Sequence, residues 1–151
     1  MRCFEKVRKD AIQYGVEDIK LPIRATKNSV GYDFYSPIDA VIEPGETKLI
    51  FTNVKARFNP NEGLILAVTS GMGKRGVILA NGIGIIECDY CDNESNDGNL
   101  GFMLHNISTN QYVIKAGDKI GQGFFFNFLT VDNEAKITTI RKGGFGSTNK
   151  N

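Results

Sequence analysis

Apolar and polar positions alternate over short runs along most of the 151-residue chain. Residues 1–20 mix Phe4, Val7, Ile12, Tyr14 and Ile19 with many charges, which predicts one strand followed by a short helical or irregular stretch. Tyr32, Phe34 and Ser36 alternate with Asp33 and Tyr35, the period of a half-buried strand. Val41-Ile42 and Lys48-Leu49-Ile50-Phe51 flank Glu43-Pro44-Gly45-Glu46, and a Pro-Gly turn between two apolar runs predicts a hairpin. Residues 54–58, 64–68, 77–79 and 100–104 are further apolar runs of strand length, separated by turn residues. Residues 112–114 and 119–128 flank Lys115-Ala116-Gly117-Asp118 and predict a second hairpin. Strands at this spacing, with no long helical period, predict an all-β sandwich or barrel. Residues 1–130 read as one β-rich domain, and residues 131–151 as a flexible C-terminal arm, too rich in glycine near its end to build a core strand.

The stretch Asn81-Gly82-Ile83-Gly84-Ile85-Ile86-Glu87-Cys88-Asp89-Tyr90 departs from this plain pattern. Its glycines permit a sharp turn or a close approach to a ligand. If the segment is extended, Glu87 and Asp89 project from one face. Two carboxylates there either meet a cation, water or ligand hydroxyl, or stand apart in solvent at an exposed strand end.

Composition narrows the function classes. The chain is 41% hydrophobic and 23% charged, with 17 glycines and no tryptophan, which suits a folded single domain with a real core. A net charge of +1 gives no broad footprint for nucleic acid or membrane. No apolar run reaches the roughly 20 residues of a membrane helix, and the first residues lack a signal-peptide pattern. Three cysteines, Cys3, Cys88 and Cys91, argue against a disulfide framework and fit the cytoplasm. Cys88 and Cys91 would need two more ligands to hold zinc, and only Cys3 and His105 could supply them.

Three further segments could carry chemistry. In Ser70-Gly71-Met72-Gly73-Lys74-Arg75-Gly76, backbone N–H groups and two cations could cradle phosphate oxygens, although the Gly-Lys-Ser/Thr ending of a Walker loop is absent. The same composition also suits a tight surface turn. Arg141-Lys142-Gly143-Gly144-Phe145-Gly146-Ser147-Thr148 places one aromatic between glycines, as a flap that stacks on a planar base would need; the alternative is a tail with an isolated aromatic. Gly121-Gln122-Gly123 offers an amide donor on open backbone, or marks a β-bulge.

Together these segments resemble the trimeric dUTP diphosphatase (dUTPase) family, in the manner of a divergent bacterial or phage-like member, over residues 24–148. Val30-Gly31-Tyr32-Asp33-Phe34 resembles the first family motif, Ala-Gly-Tyr-Asp-Leu, and residues 69–76 resemble the second, built on Arg-Ser-Gly-Leu. Gly84-Ile85-Ile86-Glu87-Cys88-Asp89-Tyr90 resembles the third, Gly-Val-Ile-Asp-x-Asp-Tyr. Ala116-Gly117-Asp118-Lys119-Ile120-Gly121-Gln122 resembles the fourth, and Gly143-Gly144-Phe145-Gly146-Ser147-Thr148 matches the fifth. Five motifs in order are specific where one would be weak.

The resemblance implies a jelly-roll-type β-clip fold and a homotrimer with three sites at subunit interfaces, each closed by a neighbour's arm. It implies hydrolysis of dUTP to dUMP and pyrophosphate, with Mg2+ on the substrate phosphates and no metal ligand from the protein. By position, Asn81 and Gly84 would meet uracil, Tyr90 would pack on the deoxyribose, and Phe145 would stack on the base. Ser70, Gly71, Lys74, Arg75 and Gln122 would contact phosphates, and Arg141, Ser147 and Thr148 would hold the phosphate tail. Glu87 would orient the attacking water, and Asp33 belongs to the catalytic set. Asp89, two residues on, is the rival for the Glu87 role, and is otherwise read as a buried hydrogen-bonded carboxylate that fixes the hairpin.

The chain departs from the family pattern at definite places. Glu87 stands where the family has aspartate; one extra methylene moves the carboxylate by about 1 Å, which can cost on the order of 100-fold in rate. Thr69 replaces an arginine, the second motif is one residue short before Lys74, and residues 92–98 form an acidic insertion expected to lie outside the phosphate pocket. These departures keep open a nucleotide-binding regulatory protein with little turnover. A related dCTP deaminase is the other alternative, against which the hairpin after Asn81 and the Phe145 flap both speak.

Overall fold

The computed structural model describes residues 1–16 and 18–146. Its strands are β1 (Cys3–Lys6), β2 (Tyr32–Tyr35), β3 (Ala40–Ile42), β4 (Thr47–Phe51), β5 (Val54–Arg57), β6 (Glu62–Ala67), β7 (Val77–Leu79), β8 (Gly84–Glu87), β9 (Gly101–Asn106), β10 (Tyr112–Ile114) and β11 (Lys119–Asn127). The helix α1 (Ser70–Lys74) is a little over one turn long, and short 3-10 turns lie at Lys9–Ala11 and Cys88–Tyr90. Among the described residues no helix is long and apolar enough to cross a membrane.

Four antiparallel sheets build the fold. A four-stranded sheet in the order β2-β11-β6-β8 lies against a three-stranded one, β4-β9-β7, and two-stranded sheets β1-β5 and β10-β3 complete it. Phe34 of β2 meets Phe102 of β9 with ring centroids 5.3 Å apart, so the two larger sheets share one core. In β9, read from the sequence only as an apolar run, burial alternates strictly: Phe102, Leu104 and Asn106 point inward, and the residues between them are only partly buried. Ile50, Leu64, Leu66, Ile114 and Ile120 fill the same interior.

Neither predicted hairpin pairs as expected. The turns exist, since Glu46 N donates to Glu43 O and Asp118 N donates to Lys115 O. Their flanking strands, however, join different sheets: β3 pairs with β10, β4 with β9, and β11 with β2 and β6. Local turn chemistry fixes the reversal of the chain, whereas long-range apolar burial fixes the partner. Residues 69–76 also differ from the expected loop. Thr69 caps α1, its Oγ1 accepting from Met72 N at 3.3 Å, and the short helix buries Met72 in the core. The bulge reading of residues 121–123 is displaced: the β11–β2 register shifts just ahead of them, between Lys119 and Gly121, and residues 121–123 themselves pair in register.

The acidic insertion is tied down by cations from β5. Lys55 Nζ donates to Asp92 Oδ1 at 2.6 Å and to Asp97 Oδ2 at 3.0 Å. Arg57 Nη1 meets Asp92 Oδ2 at 2.7 Å, and Arg8 N donates to Asp97 Oδ2 at 2.6 Å. Burial opposes the Lys55 charge, but Asp92 and Asp97 more than offset it and hold the ammonium above its ordinary range. Hydrogen bonds from Arg57 and then Lys55 hold the Asp92 carboxyl well below the usual carboxylate range, and Arg57 does the same for Glu5.

The Lys55 side chain is 11% exposed and that of Asp97 is 5% exposed, so removing the cation leaves an uncompensated charge inside the protein. Lys55→Met should cost about 3 kcal/mol in urea melts at pH 7. Carboxyls depressed in the folded state stabilise it above their unfolded value and lose that contribution as pH falls below it. Wild-type stability should therefore hold down to about pH 4 and decline below it, with a shallower decline in Lys55→Met; parallel pH curves for the two chains would contradict this.

Candidate active site

The hairpin that follows β7 crosses from the three-stranded sheet to the four-stranded one, since β7 pairs with β9 and β8 with β6. Gly82 takes a φ of +76° in this turn, and the Asn81 side-chain amide donates to Ile83 O at 3.0 Å. Gly84 follows, buried against Leu66. β8 ends at Glu87, and the chain then tightens into the 3-10 turn that carries Asp89 and Tyr90.

Tyr90 is 5% exposed, and its hydroxyl is held from two sides. It donates to Asn99 O at 2.9 Å and accepts from Asn96 Nδ2 at 2.8 Å. Burial pushes the phenol up from its ordinary value, so it stays neutral. The loop that supplies these partners is built on asparagine. Asn93 Oδ1 accepts from Ser95 N and Asn96 N, and Asn93 Nδ2 donates to Tyr90 O at 2.7 Å. Residues 92–98 read as an acidic insertion in the sequence and form a structured loop, for which the repeated asparagines are the signal.

A cavity of about 170 Å³ lies beside Tyr90, lined also by Asn81, Gly84, Glu87, Gly101, Arg141 and Phe145. The arm thus lies on its own chain's pocket. Arg141 Nη2 stands 2.9 Å from Glu87 Oε2, and its Nε donates to Asp89 Oδ1 at 3.0 Å. One guanidinium so resolves the repulsion between the two carboxylates, although the strand does not continue far enough to put them on one face. The Asp89 side chain is 51% exposed, and the expectation of a buried carboxylate is corrected: it is held by Arg141, not by burial. Gly144 seats against the Tyr90 ring; a Cβ there would lie 2.4 Å from Tyr90 Cε2. Phe145 reaches the rim, and its ring meets that of Phe51 at 5.7 Å and 85°.

The other predicted residues gather elsewhere. Gln122 on β11 pairs across the ladder with Asp33 on one side and Ala67 on the other, and its Nε2 donates to Val68 O at 3.2 Å, just before α1. Gly31 packs so closely that a Cβ would lie 2.6 Å from Gln122 Oε1. The first, second and fourth motifs therefore meet around the end of β6, with Ser70 and Gly71 exposed on α1. The Asp33 carboxylate faces Lys119, whose Nζ stands 2.7 Å away, rather than Glu87. Lys74 and Arg75 line a different cavity of about 650 Å³, where Arg75 Nη2 donates to Tyr112 Oη at 2.9 Å. Ser147 and Thr148 lie outside the described residues. Among the described residues no group of three or more His, Cys, Asp or Glu side chains could hold a metal ion.

Fold and site together define an all-β protein with a pocket that its C-terminal arm helps to line. The dUTPase family model matches residues 17–149, and the chain belongs to the dUTPase family. It is 37% identical over 150 residues to a deoxyuridine 5′-triphosphate nucleotidohydrolase of Lactococcus lactis subsp. lactis, covering 98% of this chain and 97% of that one. The Fowlpox virus enzyme of the same name is 34% identical, covering 89% and 94%. In fold, the chain superposes on the Streptococcus mutans dUTPase with a TM-score of 0.73 at 32% identity, over 86% of this chain and 98% of that one. It also superposes on a dUTPase from phage phi11 of S. aureus with a TM-score of 0.71 at 19% identity, over 92% and 97%. The jelly-roll-type dUTPase fold is thus established.

The Gly144 contact leads to a direct expectation. Gly144→Ala should push the arm off Tyr90, and trypsin should then cut after Arg141 and Lys142 at least about tenfold faster than in wild type, because cleavage follows the population of the open form. Unchanged cleavage would mean that the arm does not rest there.

Proposed function

We propose that the chain hydrolyses dUTP to dUMP and pyrophosphate, and that the pocket beside Tyr90 receives the deoxyuridine. The observation that carries this reading is the locked Tyr90 ring, facing the turn of Asn81 to Gly84 on one side and the Arg141–Phe145 segment on the other. A ring fixed by two hydrogen bonds offers a rigid apolar wall to the sugar, against which a 2′-hydroxyl finds no partner. Asn81 and the turn backbone offer donors and acceptors to the edge of the base, and Phe145 stacks on its face.

Glu87 takes the role of general base. Water adds to a phosphorus of the α–β anhydride, its proton passes to the Glu87 carboxylate, the bridging P–O bond breaks, and pyrophosphate leaves. In the structure Arg141 holds that carboxylate at 2.9 Å. A triphosphate presents more negative charge than two carboxylates, so Arg141 transfers to it and frees Glu87. Magnesium bound to the substrate phosphates would supply positive charge against that of the leaving pyrophosphate. The chain's own groups fit that division, since Glu87 and Asp89 face a guanidinium rather than a cation site.

Ser70 and Gln122 are not among the walls of the Tyr90 cavity. In our reading a second copy brings that phosphate-binding cluster, with Lys74 and Arg75, against the pocket, in a homotrimer with three shared sites. The exposed apolar residues Leu129, Val131, Ile137 and Ile140, between the domain and the arm's end, support an assembly in which the arm crosses to a neighbour and makes on that copy's pocket the contacts it makes here on its own. Three free cysteines suit a cytoplasmic setting. The dCTP deaminase alternative falls away with the family match. A protein that binds nucleotide and turns it over slowly is the second reading, favoured by Thr69: it caps α1 where the family pattern has an arginine.

Pyrophosphate release from dUTP with magnesium, against dCTP, dTTP and UTP, separates the two. Wild type should act on dUTP in preference. Glu87→Gln should lower turnover at least about 100-fold while nucleotide binding persists. Glu87→Asp should hold or raise it. Near-native turnover in Glu87→Gln would remove Glu87 from the chemistry, and absence of turnover in wild type would leave the binding protein.

A further inference from the structure

Phe51 reads in the sequence only as the end of a strand, yet it is the residue on which the arm's aromatic rests. It is the last residue of β4 and pairs with Gly101, a wall of the Tyr90 cavity. Its ring meets Phe145 at 5.7 Å and 85°, an edge-to-face contact that leaves a face of Phe145 available for stacking.

Phe51 is in turn fixed from a segment that lies ahead of residue 17, where the family match begins. Its backbone N–H donates to Tyr14 Oη at 3.1 Å. Next to Tyr14, Gln13 N donates to Asn53 Oδ1 at 2.8 Å, and Asn53 Nδ2 donates back to Gln13 O at 3.1 Å. Tyr14 and Asn53 both sit in the left-handed region, at φ values of +64° and +60°. Left-handed backbone is uncommon at a tyrosine, and it persists where surrounding contacts over-determine it. Here three hydrogen bonds stitch residues 13–14 to residues 51–53. Asn53 N also donates to Asn99 Oδ1, and Asn99 O receives the Tyr90 hydroxyl. One network thus sets both aromatic sides of the pocket.

We propose that Phe51, held by Tyr14, is a positioning residue for closure: it fixes where the Phe145 ring stands over the bound base. The proposal rests on the dUTP reading of the pocket. Phe51 does not touch the reacting atoms; it acts through Phe145. Its contribution is made equally in the bound and transition states, so its loss raises KM and leaves kcat alone. A purely structural role would lower the folded, active fraction, and hence the apparent kcat, without changing KM.

The chain has no tryptophan, so Phe145→Trp supplies a single fluorescent reporter on the arm. Titrated with a non-hydrolysable α,β-imido analogue of dUTP, its quenching reports stacking without turnover. In that background Phe51→Leu, which keeps bulk but removes the ring, should weaken the analogue's Kd by about threefold to tenfold, and Tyr14→Phe by less. With Phe145 intact, Phe51→Leu should raise KM for dUTP by a similar factor, with kcat within about twofold of wild type, and Phe51→Tyr should restore it. Melting curves establish that each variant is folded, and Tyr14→Phe, a loss of one oxygen, carries the test if Phe51→Leu is not. Unchanged Kd and KM in the folded variants would overturn the proposal. No quenching in the parent Phe145→Trp chain, together with no pyrophosphate from wild type, would instead bring down the dUTP reading and this proposal with it; that failure is seen before Phe51 is touched.

Discussion

The Lys55 ammonium is the contact on which the site depends. It stands almost buried between Asp92 and Asp97, at opposite ends of the asparagine-built loop. With those two carboxylates anchored, Asn93 and Asn96 close the loop on itself and on Tyr90. The hydroxyl of Tyr90 is then held twice, the position of the ring is fixed, and Gly144 finds a surface on which to seat. A charge inside the protein is costly unless paired, and here the pairing serves geometry rather than stability alone. The insertion looks like a surface elaboration in one dimension; in three it is the frame of the Tyr90 wall of the pocket.

Much of the strand pattern was legible in the sequence. The apolar runs in β9 and β6 and the turns at Gly45 and Gly117 all follow from local composition. Strand partners did not, because two strands joined by a tight turn can each find deeper burial elsewhere. Ile42 and Ile114 are fully buried by pairing β3 with β10, a choice that no local rule contains. The helix α1 was missed for a related reason: three glycines in residues 71–76 read as an open loop, yet the Thr69 cap and the burial of Met72 suffice to wind it.

The site was legible in parts. Asn81, Gly84, Glu87, Tyr90, Arg141 and Phe145 converge on one cavity although some sixty residues separate the first from the last, and it was the ordered set of motifs, not their spacing, that predicted it. Tyr14, Phe51, Asn96 and Asn99 carry no motif. Tyr14 and Phe51 act through a hydrogen bond and a ring edge between distant segments, which local pattern does not show, whereas Asn96 and Asn99 leave a trace in the repeated asparagines. Cys88 and Cys91 flank Tyr90 as well; burial pushes the Cys91 thiol up to about 11 and raises Cys88, so neither is disposed to form a thiolate at neutral pH.

Selection of a deoxyribonucleotide by a locked aromatic wall is the centre of the account, and it can be measured without catalysis. Calorimetric titration of the Glu87→Gln chain with dUTP and with UTP, each with magnesium, compares two ligands that differ by one hydroxyl. A buried hydroxyl without a partner costs roughly 1–3 kcal/mol, so UTP should bind at least about tenfold more weakly than dUTP. Equal affinity for the two would mean that the sugar does not lie against Tyr90.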